Sequence, residues 1–211
     1  MKKFIIYDAL VFIIIIALLL FVNIPLLNVI SAFIIVLLYS YKRLGLKKSL
    51  GFYSPKSKTI LFSMSIGFAV ILFFLSYFVL IGAIERLTGS SLNLGPFKQT
   101  QGNPTILFTN LIIGWVIGGF MEEIIFRGFL ITLFMRHINP KIGAMIGIIF
   151  SSVLFGYLHS YQGPTGQTLN TITALILGAI YVFSKRNIWL LILTHGFINT
   201  LSMLMLYYGL L

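Results

Sequence analysis

Four side-chain carboxylates occur in the 211-residue chain: Asp8, Glu85, Glu122 and Glu123. Two of them are adjacent in the apolar stretch FMEEIIFRGF, Phe120 to Phe129. Arg127 stands four residues after Glu123, on the same helix face, so the two can pair. Glu122 is turned about 100° away along the helix and has no comparable partner in its own segment. Two histidines lie in later apolar stretches. His159 ends FGYLH, and His195 begins HGFIN, which places Asn199 one helical turn beyond it.

These residue types define a chemistry. A carboxylate in apolar surroundings is a stronger base toward water than one in bulk solvent. Histidine can orient that water or protonate a leaving group, and histidine and asparagine donors can stabilise an oxyanion. Hydrolysis of an amide fits this set. Two histidines and a glutamate also match the ligand types of a metal site. Other routes lack their marks: there is no HExxH, no GxSxG elbow, no glycine-rich phosphate loop and no cysteine. The competing reading is a polar cluster that only fixes helix register. It accounts best for the Glu123–Arg127 pair and least well for Glu122, because ionisable groups inside a membrane are functional by default.

The elements that must position these groups are membrane spans. Hydrophobic residues make up 59% of the chain and charged residues 9%, too little polar surface to cover a core in water. The expected fold is all-α: a polytopic transmembrane bundle of about seven spans. Its segments run over about 4–21, 26–41, 59–84, 105–135, 142–161, 168–184 and 188–208, with a tight turn at Val22 to Pro25. One integral domain covers 1–211, and the motif-bearing core covers about 105–208. The first segment has a basic start, but its apolar stretch is too long for a signal peptide and no small-residue cleavage site follows.

Each of the three charges in the fourth segment costs roughly 2.5–3.5 kcal/mol at mid-membrane. The seventeen Leu, Ile, Phe and Val residues of 106–134 offset this by about 5–10 kcal/mol in all. The two sums nearly cancel, so this helix needs partners. Gly118 and Gly119 would let another helix approach, and the row Gly143, Gly147, Ser151, Phe155, His159 should face a helix rather than lipid. Depths agree less well. At about 1.5 Å per residue, Glu122 lies roughly 21 Å from Arg136, His159 roughly 27 Å from Lys141 and His195 roughly 13 Å from Arg186.

Twelve of the fifteen basic residues fall on one side of the seven-span arrangement; Arg86 and Lys98 fall on the other, and Arg127 lies within it. The positive-inside rule then puts the N-terminus in the cytoplasm. The net charge of +11 is therefore topological, with anionic membrane lipid as a further partner. No nucleic-acid motif accompanies it. His137, in the basic stretch RHINPK, is expected to be solvated or at the headgroups.

EEIIFRG (122–128), FGYLH (155–159) and HGFIN (195–199) resemble the three motifs, EExxxR, FxxxH and HxxxN, of the CPBP intramembrane proteases. That family includes the type II CAAX prenyl endopeptidases and the bacteriocin-processing or immunity proteins of bacteria. The resemblance covers about 90 residues, from the fourth span to the seventh. It implies that Glu122 activates the attacking water with His159 assisting, that His195 and Asn199 bind the oxyanion, and that Glu123 and Arg127 hold the site together. It leaves open a metal-free glutamate mechanism or a divalent metal such as zinc on Glu122, His159 and His195.

A chain of this length, rich in Ile, Phe and Lys, looks bacterial, which places it in a bacterial cell membrane. Bacteria generally lack CAAX prenylation, so a peptide or membrane-protein substrate is expected. The alternatives are a non-catalytic bacteriocin immunity or scaffold protein and, more weakly, a transporter; the paired broken helices of a transporter are not visible.

Overall fold

The computed structural model describes residues 2–22, 24 and 26–211. It is helical throughout, with no strand among the described residues. Eight helices follow in order: α1 (Lys2–Phe21), α2 (Leu27–Leu44), the short α3 (Leu46–Leu50), α4 (Lys58–Thr88), α5 (Pro104–His137), α6 (Pro140–Leu158), α7 (Gly163–Phe183) and α8 (Ile188–Tyr207). Six of these, α2 and α4 to α8 (α7 with the turn before it), are long and apolar enough to cross a membrane. The apolar part of α1, Ile5–Phe21, is slightly shorter. The chain is thus a multi-pass membrane protein of roughly seven spans. Asn23 and Pro25 of the turn expected between the first two spans lie outside the described residues.

The helix starts follow from local chemistry. Asn103 caps α5, its Oδ1 accepting from the amides of Thr105 and Ile106 at 3.1 Å, with Pro104 as first residue. Asn139 and Pro140 do the same for α6. Ser57 caps α4 through the amide of Ile60. The outward faces carry large apolar side chains at helical spacing, such as Ile142, Met145, Ile149 and Val153 on α6. In water such a surface would be a liability; in a bilayer it is the solvated face.

α5 is the central helix. Every residue from Ile124 to Leu133 is buried, as expected for a helix that is apolar all round. It is not the regular α-helix its composition suggests. Two π-helical segments, Gly114–Glu122 and Ile124–Ile131, meet at Glu123. α6 packs beside its second half. Gly143 lies against Phe134 and Met135, and a Cβ on Gly147 would sit 2.9 Å from the Cα of Ile131. The row ending at His159 therefore faces α5. On the other side, α8 meets Gly118 and Gly119, where a Cβ on Gly119 would be 3.3 Å from the backbone of Gly196.

The base of the bundle resolves the mismatch in depth between Glu122 and His195. α3 and Gly51 tuck inward rather than lying in a peripheral loop. A Cβ on Gly128 would be 3.2 Å from the Leu50 carbonyl, and the Ile188 amide donates to the Gly51 carbonyl at 3.2 Å. Gly51 has φ +84° and its Cα faces the Arg186 carbonyl, so only glycine fits there. Gly128 and Ile188 thus share a level. From that level Glu122 is six residues back along α5 and His195 seven residues along α8, which brings them to a similar depth.

His137 is exposed at the end of α5, as expected, and also has a partner that the sequence did not indicate. Its Nε2 is 2.7 Å from Oδ2 of Asp8. Asp8 is buried on α1 and also receives Arg136 at 3.0 Å, Arg43 at 3.6 Å and the Tyr39 hydroxyl. A lone carboxylate inside an apolar helix needs such partners, and the cluster fastens α1 to α2 and to the end of α5.

Candidate active site

Glu123 anchors the site. It is fully buried, and its Oε1 accepts from Nη1 of Arg127 at 2.9 Å, one turn along α5. The same oxygen lies 2.7 Å from Nδ1 of His195 on α8. Arg127 also donates to the Ala174 carbonyl of α7 at 3.4 Å and lies over the Phe155 ring, 4.9 Å from its centre. A charge pair this deep is held by several partners at once, as burial requires. The sequence placed Arg127 beside Glu123; it did not show that His195 completes the triad.

Phe155 is the second organiser. Its ring stacks on His159 at 4.4 Å, meets His195 edge-on at 6.0 Å and crosses Phe126 at 5.1 Å. His159 caps α6, and its Nδ1 bonds the Phe155 carbonyl at 2.8 Å. Both histidines are therefore fixed through Nδ1, which leaves Nε2 of each for other work. Asn199 donates from Nδ2 to the Gly114 carbonyl at 2.8 Å, which uses one of its two amide hydrogens.

Gly118 sets how close these groups come. A Cβ there would be 2.5 Å from Nδ2 of Asn199 and 3.6 Å from Nε2 of His195. The two nitrogens thus both border one bare backbone position. Glu122 lies one turn further along α5 and has no hydrogen-bond partner among the described residues. It lines a cavity of about 250 Å³ together with His159, His195 and Asn199. Its charge is near enough to act on His159 and Tyr161. All four sequence-predicted catalytic residues thus line one chamber, while Glu123 and Arg127 lie behind it.

The metal set behaves differently. Glu122, His159 and His195 line the chamber, but no three His, Asp or Glu side chains among the described residues come together as a site that could hold a metal ion. In this arrangement Glu122, His159 and His195 do not come together as a ligand set. No step below is routed through a metal.

Sequence reasoning missed two further chamber residues, Phe97 and Tyr161. Neither belongs to a spaced motif. Tyr161 follows His159 by two positions, and its ring lies 5.7 Å from that of His159.

Comparison with curated proteins and with solved structures gives no match. The sequence model of the family described as "Type II CAAX prenyl endopeptidase Rce1-like" matches residues 104–201. The matched stretch contains all three motifs and the site residues from Gly114 and Glu122 to Asn199, while Phe97 precedes it. Over these residues, a little under half of the chain, the motifs and the match agree in a likeness to the type II CAAX prenyl endopeptidases of the CPBP family.

Proposed function

We propose that the chamber hydrolyses a peptide bond of a membrane-associated peptide or membrane protein by water that Glu122 activates. The observation that carries this reading is the approach of both Nδ2 of Asn199 and Nε2 of His195 to Gly118, in a chamber that also presents Glu122 and His159. A scissile carbonyl whose oxygen faces these two nitrogens presents its carbon toward Glu122.

The steps follow from the hydrogen bonds. With Nδ1–H of His159 donated to the Phe155 carbonyl, Nε2 is a lone pair that can orient a water. Glu122 removes that water's proton as the oxygen attacks the carbonyl carbon. The developing oxyanion takes the second amide hydrogen of Asn199 and a proton on Nε2 of His195. Nδ1 of that ring faces Oε1 of Glu123, an oxygen that Arg127 shares, so the ring is held with Nε2 toward the chamber. On collapse, Glu122, now a carboxylic acid, returns its proton to the leaving amine. The charge distribution supports a cytoplasmic N-terminus, and composition supports a bacterial cell membrane.

Asn199→Ala tests the oxyanion assignment. Removing one such donor should lower kcat by about 10²–10³, with little change in KM, because the donor acts on charge present only in the transition state. A large rise in KM at unchanged kcat would assign Asn199 to substrate binding instead.

A further inference from the structure

The catalytic residues stand where two cavities meet. The smaller is the chamber already described; beyond the catalytic groups its wall mixes apolar side chains, such as Leu169 and Leu177, with the polar Ser76, Asn170, Thr173 and Ser202. The larger, about 840 Å³, lies between the α1–α2 junction and the end of α6. Its own wall is mostly apolar, from Leu19, Leu20 and Val29 on one side to Tyr157 and Leu158 on the other. Glu122, His159, Phe97 and Tyr161 line both cavities. The reacting group therefore sits at a waist, with two aromatic rings beside it.

Those rings come from two short turns. Phe97 belongs to the 3-10 turn Gly95–Thr100, which precedes the family-matched region, and Tyr161 to the turn Ser160–Gln162. The rings are 6.3 Å apart and inclined at 60°. Their backbones are braced together. Asn93 donates from Nδ2 to the Tyr161 carbonyl and from its amide to the Gln162 carbonyl, both at 3.0 Å. Gln162 donates from Nε2 to the Tyr161 hydroxyl at 3.3 Å. The far end of the first turn is held by Asn110, which donates to the Thr100 hydroxyl at 2.9 Å, and by the Gly102 amide, which donates to the Tyr207 carbonyl at 3.0 Å. With both backbones fixed, the rotamers of the two rings narrow or widen the passage, beside Asn110, Ile113, Ile117 and Phe155, which also line both cavities.

We infer that Phe97 and Tyr161 form a selectivity gate between the cavities. A substrate threads the gate as an extended strand. Its apolar, membrane-embedded part lies in the larger cavity, its scissile carbonyl lies beside Glu122, and its more polar part lies against Ser76, Asn170, Thr173 and Ser202 of the smaller cavity. The gate sets how bulky the residues flanking the scissile bond can be. The substrate side of this inference rests on the protease reading; the gate itself rests on the cavities alone.

The full chain has no cysteine, so a single reporter thiol is unambiguous. Ser202→Cys places one in the wall of the smaller cavity only, at a side chain whose hydroxyl bonds its own helix. The purified protein in lipid vesicles is treated with a small thiol reagent, methyl methanethiosulfonate, or with the bulky, membrane-partitioning pyrene maleimide. Phe97→Ala or Tyr161→Ala in this background should speed labelling by the bulky reagent at least about tenfold, equivalent to roughly 1.4 kcal/mol of barrier removed, and leave the small reagent's rate nearly unchanged. No acceleration by either substitution overturns the gate, as does an equal acceleration of both reagents, which reports general loosening. In parallel, peptide libraries report cleavage. The gate variants should accept bulkier residues beside the scissile bond, raising their kcat/KM relative to small ones. Size-dependent labelling without any cleavage by the unmodified chain keeps the gate and sinks the protease reading. Cleavage with an unaltered size profile in both variants does the reverse.

Discussion

Arg127 and His195 both reach the same oxygen of Glu123, at 2.9 and 2.7 Å, while its other oxygen is buried without a hydrogen-bond partner among the described residues. This arrangement makes Glu123 sensitive to loss of either partner. Arg127→Ala should cost roughly 3–5 kcal/mol, the usual size for stranding one member of a buried pair, read as a clear fall in Tm of the detergent-purified protein. Arg127→Lys should recover only part of it, because an ammonium offers no planar face to Phe155 and no fork to reach the Ala174 carbonyl as well. An unchanged Tm for Arg127→Ala would show that the pair does not hold the site. The i, i+4 spacing made Glu123–Arg127 legible in the sequence. The His195 bond was not, since it joins positions 72 apart and leaves no periodic trace. For the same reason, Asp8 and His137 could not be recognised as partners.

The glycines at the helix contacts of α5 divide into two kinds, and substitutions separate them. A Cβ on Gly118 would meet the end of the Asn199 side chain at 2.5 Å, whereas one on Gly147 of α6 would meet the Ile131 Cα at 2.9 Å. A side-chain end can swing away, but a helix backbone cannot without repacking. Gly118→Ala should therefore lower kcat by displacing the Asn199 amide, with Tm nearly kept. Gly147→Ala should lower Tm more than Gly118→Ala does. Paired kcat and thermal-unfolding measurements check both, and the opposite ranking would contradict the packing. The sequence located every span, because long apolar runs with few charges have few other outcomes. It did not reveal the π-helical form of α5 around Glu123, which depends on what α6 and α8 press against it. Nor did it show that α3 turns inward, and so the depths of Glu122 and His195 looked unequal.

Across the bundle, twelve basic residues gather at one end and two at the other. A reporter fused after Leu211 should therefore read external and one inserted near Lys47 cytoplasmic; the reverse at either site would break the orientation. Phe97 and Tyr161 show where sequence reading stops. Aromatic residues are common in such a chain, and only the folded arrangement puts these two at the waist beside Glu122. The central claim is that Glu122 is the base of a peptide-bond hydrolase. Its most direct test is cleavage of a quenched peptide library by the purified protein and by its Glu122→Gln variant. Glutamine keeps the shape of the side chain and removes its basicity. Cleavage by the unmodified protein, abolished in Glu122→Gln at unchanged yield and Tm, is the predicted result. Equal cleavage by the two proteins would contradict it.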